Sequence, residues 1–97
     1  MSKGKPGEIR VSHILVEKQS QALEILRKIT QDGADFGKMA QQFSNCPSKK
    51  NGGDLGWFGR GKMVPEFERA AFALTAGQMT KDPVKTQFGY HLIKRTG

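Results

Sequence analysis

The chain has 97 residues, with 16 Lys and Arg against 9 Asp and Glu, so its formal net charge is +7. This length and a hydrophobic content of 36% indicate one globular domain with a single core. One cysteine excludes an internal disulfide, and no apolar run approaches the roughly 18 residues that indicate a membrane-spanning helix. No export signal is recognisable in the sequence, and we expect a cytoplasmic protein.

The N-terminal half predicts a basic arm, a strand and two helices. Residues 1–8 are polar and rich in Lys and Gly, which predicts a flexible arm ahead of a domain over 9–97. Alternating apolar residues predict a strand over 9–16. Apolar residues at three- and four-residue spacing predict a helix over 19–31 and a second helix after an Asp35 N-cap. The side chains expected to face the core are Ala22, Leu23, Leu26, Ile29, Phe36, Met39, Ala40 and Phe43.

The C-terminal half predicts shorter elements separated by turns. Residues 44–53 have the composition of a loop, with room for one short extra helix, and a strand is expected over 54–59. Pro65 at a first helical turn predicts a third helix. Two final strands, 83–85 and 88–95, are expected to form a hairpin. The resulting order, β-α-α-β-α-β-β, predicts an α+β fold.

Both histidines of the chain lie in predicted strands, His13 in the first and His91 in the last. Strands at opposite ends of a small domain readily pair, and alternation then places both imidazoles on one face of the sheet. Half-buried polar side chains at such a position need hydrogen-bond partners. The two histidines therefore belong either to a structural network or to a functional site.

Five segments, taken in order, resemble the parvulin family of peptidyl-prolyl cis-trans isomerases. They are 12–15 (SHIL), 43–46 (FSNC), 53–63 (GDLGWFGRGKM), 65–68 (PEFE) and 88–93 (FGYHLI). The likeness is greatest to the small single-domain parvulins of archaea and bacteria. It implies a four-stranded antiparallel sheet surrounded by helices. It also implies isomerase activity on X–Pro bonds, with no cofactor and no metal.

The resemblance also implies roles for individual residues. Leu55, Met63 and Phe67 stand where the family has an apolar cup for the proline ring. His13, Cys46 and His91 stand where it has a polar catalytic cluster beneath the imide bond. The implied flanking wall of the substrate site is formed by Val64, Thr86, Phe88 and Tyr90.

The set of Cys46 and two histidines also fits other interpretations. A thiol beside an imidazole is the arrangement of a nucleophilic cysteine hydrolase. A Cys-His-His set is compatible in outline with a metal site, although a tetrahedral structural site needs four ligands and the chain has no second cysteine. The two histidines could also be a hydrogen-bonded structural pair without a catalytic role.

The connection between the first strand and the first helix is expected to contain only Glu17, Lys18 and Gln19. Parvulins that require phosphoserine or phosphothreonine before proline carry an arginine-rich loop at this place, because arginine binds phosphate bidentately. By this comparison we expect a phosphorylation-independent isomerase. We also expect a monomer that assists protein folding. We expect it to accept apolar or basic residues before proline.

The high positive charge favours an anionic partner. In the parvulin arrangement the arm and the first helix lie away from the proline pocket. The candidates there for contact with an anionic membrane surface, or with nucleic acid, are Lys3, Lys5, Lys18, Arg27 and Lys28. The alternative is a solvated basic face that keeps the protein soluble.

Overall fold

The computed structural model describes residues 4–97. Its element order is the predicted one, with a short 3₁₀ helix in the loop before the second strand. The bounds are β1 (Ile9–Val16), α1 (Gln19–Gln31), α2 (Phe36–Phe43), the 3₁₀ helix (Pro47–Asn51), β2 (Asp54–Phe58), α3 (Pro65–Ala73), β3 (Val84–Thr86) and β4 (Gly89–Arg95).

The four strands form one antiparallel sheet in the order β2-β1-β4-β3. The first and last strands of the chain are therefore central neighbours, as the sequence predicted. In their register His13 lies opposite Ile93, and Leu15 lies opposite His91. Because directly opposite residues of an antiparallel pair share a face of the sheet, the two histidines project from the same side.

Each face of the sheet has its own apolar cluster. On one face Ile14, Val16 and Leu92 pack against the buried side chains of α1 and α2. On the other face Val11 and Ile93 pack against Phe67 and Ala71 of α3. The histidines follow the alternation of Val11 and Ile93, so they lie on the α3 face. This position places both imidazoles under α3 and away from α1.

The helix starts and ends agree with the local sequence. The Asp35 carboxylate accepts a hydrogen bond from the Lys38 backbone N–H at 3.0 Å, which confirms the predicted cap of α2. The N-cap position of helix α1 is Lys18, and the Gln21 side chain accepts a hydrogen bond from the Lys18 N–H at 3.0 Å. None of the helices within residues 4–97 has the length and apolar character needed to cross a membrane.

Three details differ from the expectations. Leu23 and Phe43, predicted to face the core, are 47% and 43% exposed. Ala22, Ile25 and Leu26 already fill the inward stripe of α1. Phe43 is the last residue of α2, and its ring lies under the Lys28 ammonium. The final hairpin turns at residues 87–88 rather than 86–87. Thr86 therefore belongs to β3 and faces inward.

The described part of the N-terminal arm forms a turn. The Lys5 N–H donates to the Glu8 side chain at 2.8 Å, and the Glu8 N–H donates to the Lys5 carbonyl at 2.9 Å. The Trp57 ring lies so close to Gly4 that a β-carbon at that position would overlap it.

Candidate active site

The two histidines are in direct contact at the centre of the sheet. Their Nδ1 atoms are 3.0 Å apart, and the rings are stacked with centroids 5.1 Å apart. His13 is 5% exposed and His91 is 4% exposed. They are therefore more deeply buried than the half-buried groups that the sequence suggested, and one imidazole must donate its proton to the other.

Thr86 and the Phe88 backbone continue the contact and give it a direction. The Phe88 N–H donates to the Thr86 hydroxyl oxygen at 3.2 Å, and that oxygen is 2.7 Å from His91 Nε2. With the hydroxyl proton directed to His91 Nε2, His91 Nδ1–H donates to His13 Nδ1, and the Thr86 hydroxyl both accepts from Phe88 and donates to His91. The His13 proton then lies on Nε2. That atom is buried and has no hydrogen-bond partner among the described residues.

Burial keeps both imidazoles neutral at pH 7. Burial, and to a smaller extent repulsion by a charged His91, lower the pKa of His13 to about 4. Burial also lowers the pKa of His91 to about 4. An imidazole without nearby carboxylates and out of contact with water loses the solvation that its charged form needs. The pair therefore forms an uncharged polar floor beneath any ligand that binds on this face of the sheet.

An open cleft of about 470 Å³ lies above the histidine pair. Its walls are largely apolar and include Leu55, Met63 and Phe67. The Phe67 ring meets both imidazoles edge-on, with centroids 5.5 Å from His13 and 5.2 Å from His91. Phe67 thus holds the histidines in place and also forms part of the cleft.

Cys46 lies at the side of the cleft, immediately before the 3₁₀ helix. The buried Ser44 fixes this segment, because its hydroxyl oxygen accepts from the Leu15 N–H at 3.0 Å and from the Cys46 N–H at 3.3 Å. Ser44 therefore connects β1 to the loop that carries the thiol. This role of Ser44 was not predicted, although Ser44 stands within the FSNC segment.

This geometry agrees with what comparison of the chain with known proteins shows. Residues 12–97 match the model of the rotamase family, described as the PPIC-type PPIase domain. The chain belongs to the parvulin family of peptidyl-prolyl isomerases.

Similar proteins come from bacteria and archaea. The foldase protein PrsA of Geobacillus sp. (strain WCH70) is 58% identical over 90 residues, which are 92% of this chain and 32% of the relative. The crystal structure of PrsA from Bacillus subtilis has a TM-score of 0.89 and 47% identity, over 94% of this chain and 35% of that one. NmPin, the parvulin of Nitrosopumilus maritimus, has a TM-score of 0.82 and 48% identity, over 97% of this chain and all of that one. The chain spans about a third of the curated relatives.

The structure brings most of the predicted parvulin site residues to the cleft. Its lining includes the expected cup and polar cluster together with Val64 and Phe88, and Phe88 is 61% exposed at the rim. Thr86 does not line the cleft and instead supports His91 from behind. The lining residues that the sequence analysis missed are Leu15, Asn45, Pro47 and Lys62.

Tyr90 is a correction. It was predicted in the flanking wall, but it packs against the cluster formed by α1 and α2. The reason is the alternation of β4: Tyr90 lies opposite Val16, one residue out of phase with His91, and so it projects from the other face of the sheet.

The alternative readings of Cys46 find no support in the contacts of this parvulin domain. Within residues 4–97 the Cys46 thiol makes no hydrogen bond to either imidazole. A thiol nucleophile needs a base in hydrogen-bond reach. Over the same residues no three His, Cys, Asp or Glu side chains lie close enough together to hold a metal ion.

The basic residues of the arm and α1 have different surroundings. Arg27 is paired with Glu24 at 2.8 Å and with Asp32 at 3.4 Å. The Lys28 ammonium lies over the Phe43 ring, 5.5 Å from its centroid. Lys5 and Lys18 are exposed, and Lys3 lies outside the described residues. The charge of Arg27 is therefore largely compensated by carboxylates in α1 and at its C-cap.

Proposed function

We propose that this parvulin domain catalyses rotation about X–Pro bonds in extended segments of unfolded polypeptides, without covalent chemistry and without a requirement for phosphorylation. The observation that carries the proposal is the apolar cleft above a buried, neutral histidine pair. Isomerase activity itself is the activity of the family to which the chain belongs.

The apolar walls suit the change in the imide during rotation. The planar imide owes its double-bond character to charge-separated resonance, and this sets a barrier of about 18–20 kcal/mol. The twisted transition state has lost most of that charge separation. An apolar environment therefore lowers its free energy relative to the planar imide, compared with water. Lowering this barrier by about 5 kcal/mol accelerates the rotation several-thousand-fold. Leu55, Met63 and Phe67 provide this surrounding.

The polar floor of the cleft can orient the substrate but does not take part in covalent chemistry. Both histidines are neutral, and His13 Nδ1 is already occupied by His91. Within residues 4–97 the Cys46 thiol makes no hydrogen bond to either imidazole, so neither histidine is placed to act as its base. The Nε2 atom of His13 is the free end of the hydrogen-bond row, and it supplies a fixed dipole near the rotating imide.

The short β1–α1 connection supports phosphorylation independence. Only two residues, Glu17 and Lys18, separate the strand from the helix, and neither is an arginine that could bind phosphate bidentately. Leu15 and the exposed Phe88 line the cleft beside the cup and favour apolar residues near the proline. Lys62, also in the lining, argues against the basic residues that were expected before proline.

A role in protein folding is supported by the relatives that are named foldase proteins. Each of them is about three times longer than this chain, so their complete activity and clients are proposals here. The cytoplasmic location and the monomeric state remain predictions.

The activity is tested with chromogenic X-Pro peptides in a protease-coupled assay. We expect acceleration for Ala-Pro and Leu-Pro peptides and no more than a few-fold preference for phosphoserine-Pro. Met63→Ala should lower kcat/KM about tenfold, because it removes about 1.4 kcal/mol of apolar contact in the cup. The matched control is Met39→Ala, since Met39 is also partly buried but packs on the other face of the sheet.

Three outcomes would contradict the proposal. They are the absence of acceleration for every peptide, a hundredfold preference for the phosphorylated peptide, and equal loss of activity in the two methionine variants.

Contact with an anionic membrane surface is a second proposal. It is supported by the position of Lys18 and Lys28 on or beside α1, which covers the face of the sheet opposite the cleft. Each lysine near an anionic leaflet contributes about 1 kcal/mol, and added salt screens this attraction. Co-sedimentation with anionic but not neutral liposomes at low salt, lost in a Lys18→Gln/Lys28→Gln variant, is expected. Absent binding, or binding that does not depend on salt, would contradict this proposal and support a basic face that only keeps the protein soluble. Nucleic acid is the alternative partner, and its binding is tested with the same variant.

A further inference from the structure

Lys62 is the only side chain with a full charge in the cleft lining that residues 4–97 provide. The other lining residues are apolar, amide or thiol groups and the two neutral histidines, and none is a carboxylate. Lys62 directly precedes Met63 of the proline cup. A substrate that places its proline in the cup therefore passes its neighbouring residues close to this ammonium group.

The turn that carries Lys62 is fixed by α3. The Glu68 carboxylate accepts from the Gly61 backbone N–H at 2.6 Å. It also pairs with Arg60 at 3.7 Å, and the Arg60 guanidinium lies over the Phe72 ring, 4.4 Å from its centroid. Gly61 has φ of +87°, a conformation that a side chain would disfavour. These contacts hold Arg60 against α3 and leave Lys62 on the cleft side of the turn.

The two cations of this turn therefore differ in their charge balance. Arg60 is compensated by Glu68. Lys62 makes no ion pair with any carboxylate of the described part of the chain, and its side chain is exposed. An unpaired ammonium group beside the apolar wall of the cleft favours a peptide that carries an anionic side chain next to its apolar residues.

We propose that Lys62 makes this isomerase prefer substrates in which a Glu or Asp side chain directly flanks the proline. The inference rests on the proposed function and names a substrate class for the same cleft. An exposed pair of this kind is worth a modest factor, about threefold to fivefold in kcat/KM. A lysine is a flexible point charge and cannot make the bidentate contact of an arginine. A preference of this size is therefore consistent with phosphorylation independence.

The test uses the full chain and peptides that differ only beside the proline. One series carries Glu, Gln or Lys before the proline, and a second carries them after it. The quantity compared is the ratio of kcat/KM for the Glu and Gln peptides, measured at low and high salt. The variants are Lys62→Gln and Lys62→Glu. The control for Lys62→Gln is Lys81→Gln, which also lowers the net charge by one but at an exposed position outside the cleft lining.

In the wild-type chain and in Lys81→Gln we expect a Glu/Gln ratio of about three to five in at least one series at low salt, and a smaller ratio at high salt. Lys62→Gln should bring the ratio close to one, and Lys62→Glu should make the Lys peptide the better substrate. A wild-type Glu/Gln ratio of one in both series, or a ratio that is unchanged in Lys62→Gln, overturns the inference. Acceleration of the Gln peptides in these cases still supports isomerase activity. Failure to accelerate any peptide overturns both.

Discussion

The buried histidine pair predicts a steep loss of stability between pH 7 and pH 5. Each imidazole has a pKa of about 4 in the folded protein and about 6.5 in an unfolded chain. A pKa that is lowered by folding means that the unfolded state binds protons first as the pH falls. The contribution of the neutral pair to stability is therefore complete above about pH 6.5 and is lost as the pH falls towards 4.

The magnitude follows from the difference between the two pKa values. At pH 5 the unfolded state gains about 2 kcal/mol from protonating each histidine, or on the order of 4 kcal/mol for the pair. A small domain has only about 5–15 kcal/mol of total stability, so this is a large fraction. The chain has no other histidine, and most carboxylates titrate below this range. The pKa of Asp54 is lowered by its hydrogen bond with Arg10, which keeps that carboxylate charged as well.

The assay is urea unfolding at pH 7, 6 and 5, followed by the fluorescence of the single tryptophan, Trp57. The unfolding free energy should fall by several kcal/mol over this range. His13→Gln and His91→Gln each remove one titrating group, so a variant that folds should show about half the slope. A wild-type unfolding free energy that changes by less than about 1 kcal/mol between pH 7 and 5 would refute the reasoning about burial.

Three further predictions concern the same region. Cys46→Asp should keep kcat/KM within about tenfold, or 1.4 kcal/mol, because the thiol bonds to neither imidazole; complete loss with the fold intact, or a covalent substrate adduct in mass spectrometry, would contradict this. Gly53→Ala should destabilise the domain by at least about 1 kcal/mol more than Gly77→Ala in urea unfolding. Both glycines have φ near +90° (88° and 91°), but only at Gly53 would the new carbon overlap the His13 carbonyl. Equal losses in the two variants would contradict this prediction. Thr86→Val should cost about 1–3 kcal/mol in thermal unfolding, because it leaves the Phe88 N–H and His91 Nε2 without their partner; an unchanged Tm would mean that water replaces the hydroxyl.

The sequence determined the elements because their signals are local. Apolar alternation predicted β1 and helical spacing predicted α1, and the structure has both over the predicted residues. The carboxylate of Asp35 predicted the start of α2 because a cap acts within one turn. The shared face of His13 and His91 was also predictable, since it needed only alternation and the pairing of the two terminal strands. Alternation would have excluded Tyr90 as well, but its assignment followed the family resemblance instead.

The tertiary structure alone decided the properties of the site. The row from the Phe88 N–H to His13 depends on the register of β3 against β4 and of β4 against β1. The low pKa values of the histidines arise from burial under α3, and burial is a sum over residues distant in the chain. Nothing in the local sequence distinguishes Lys62 from the other lysines of the chain. Its position at the cleft comes from the contacts of its turn with Glu68 and from the packing of α3 on the sheet, which no local pattern encodes.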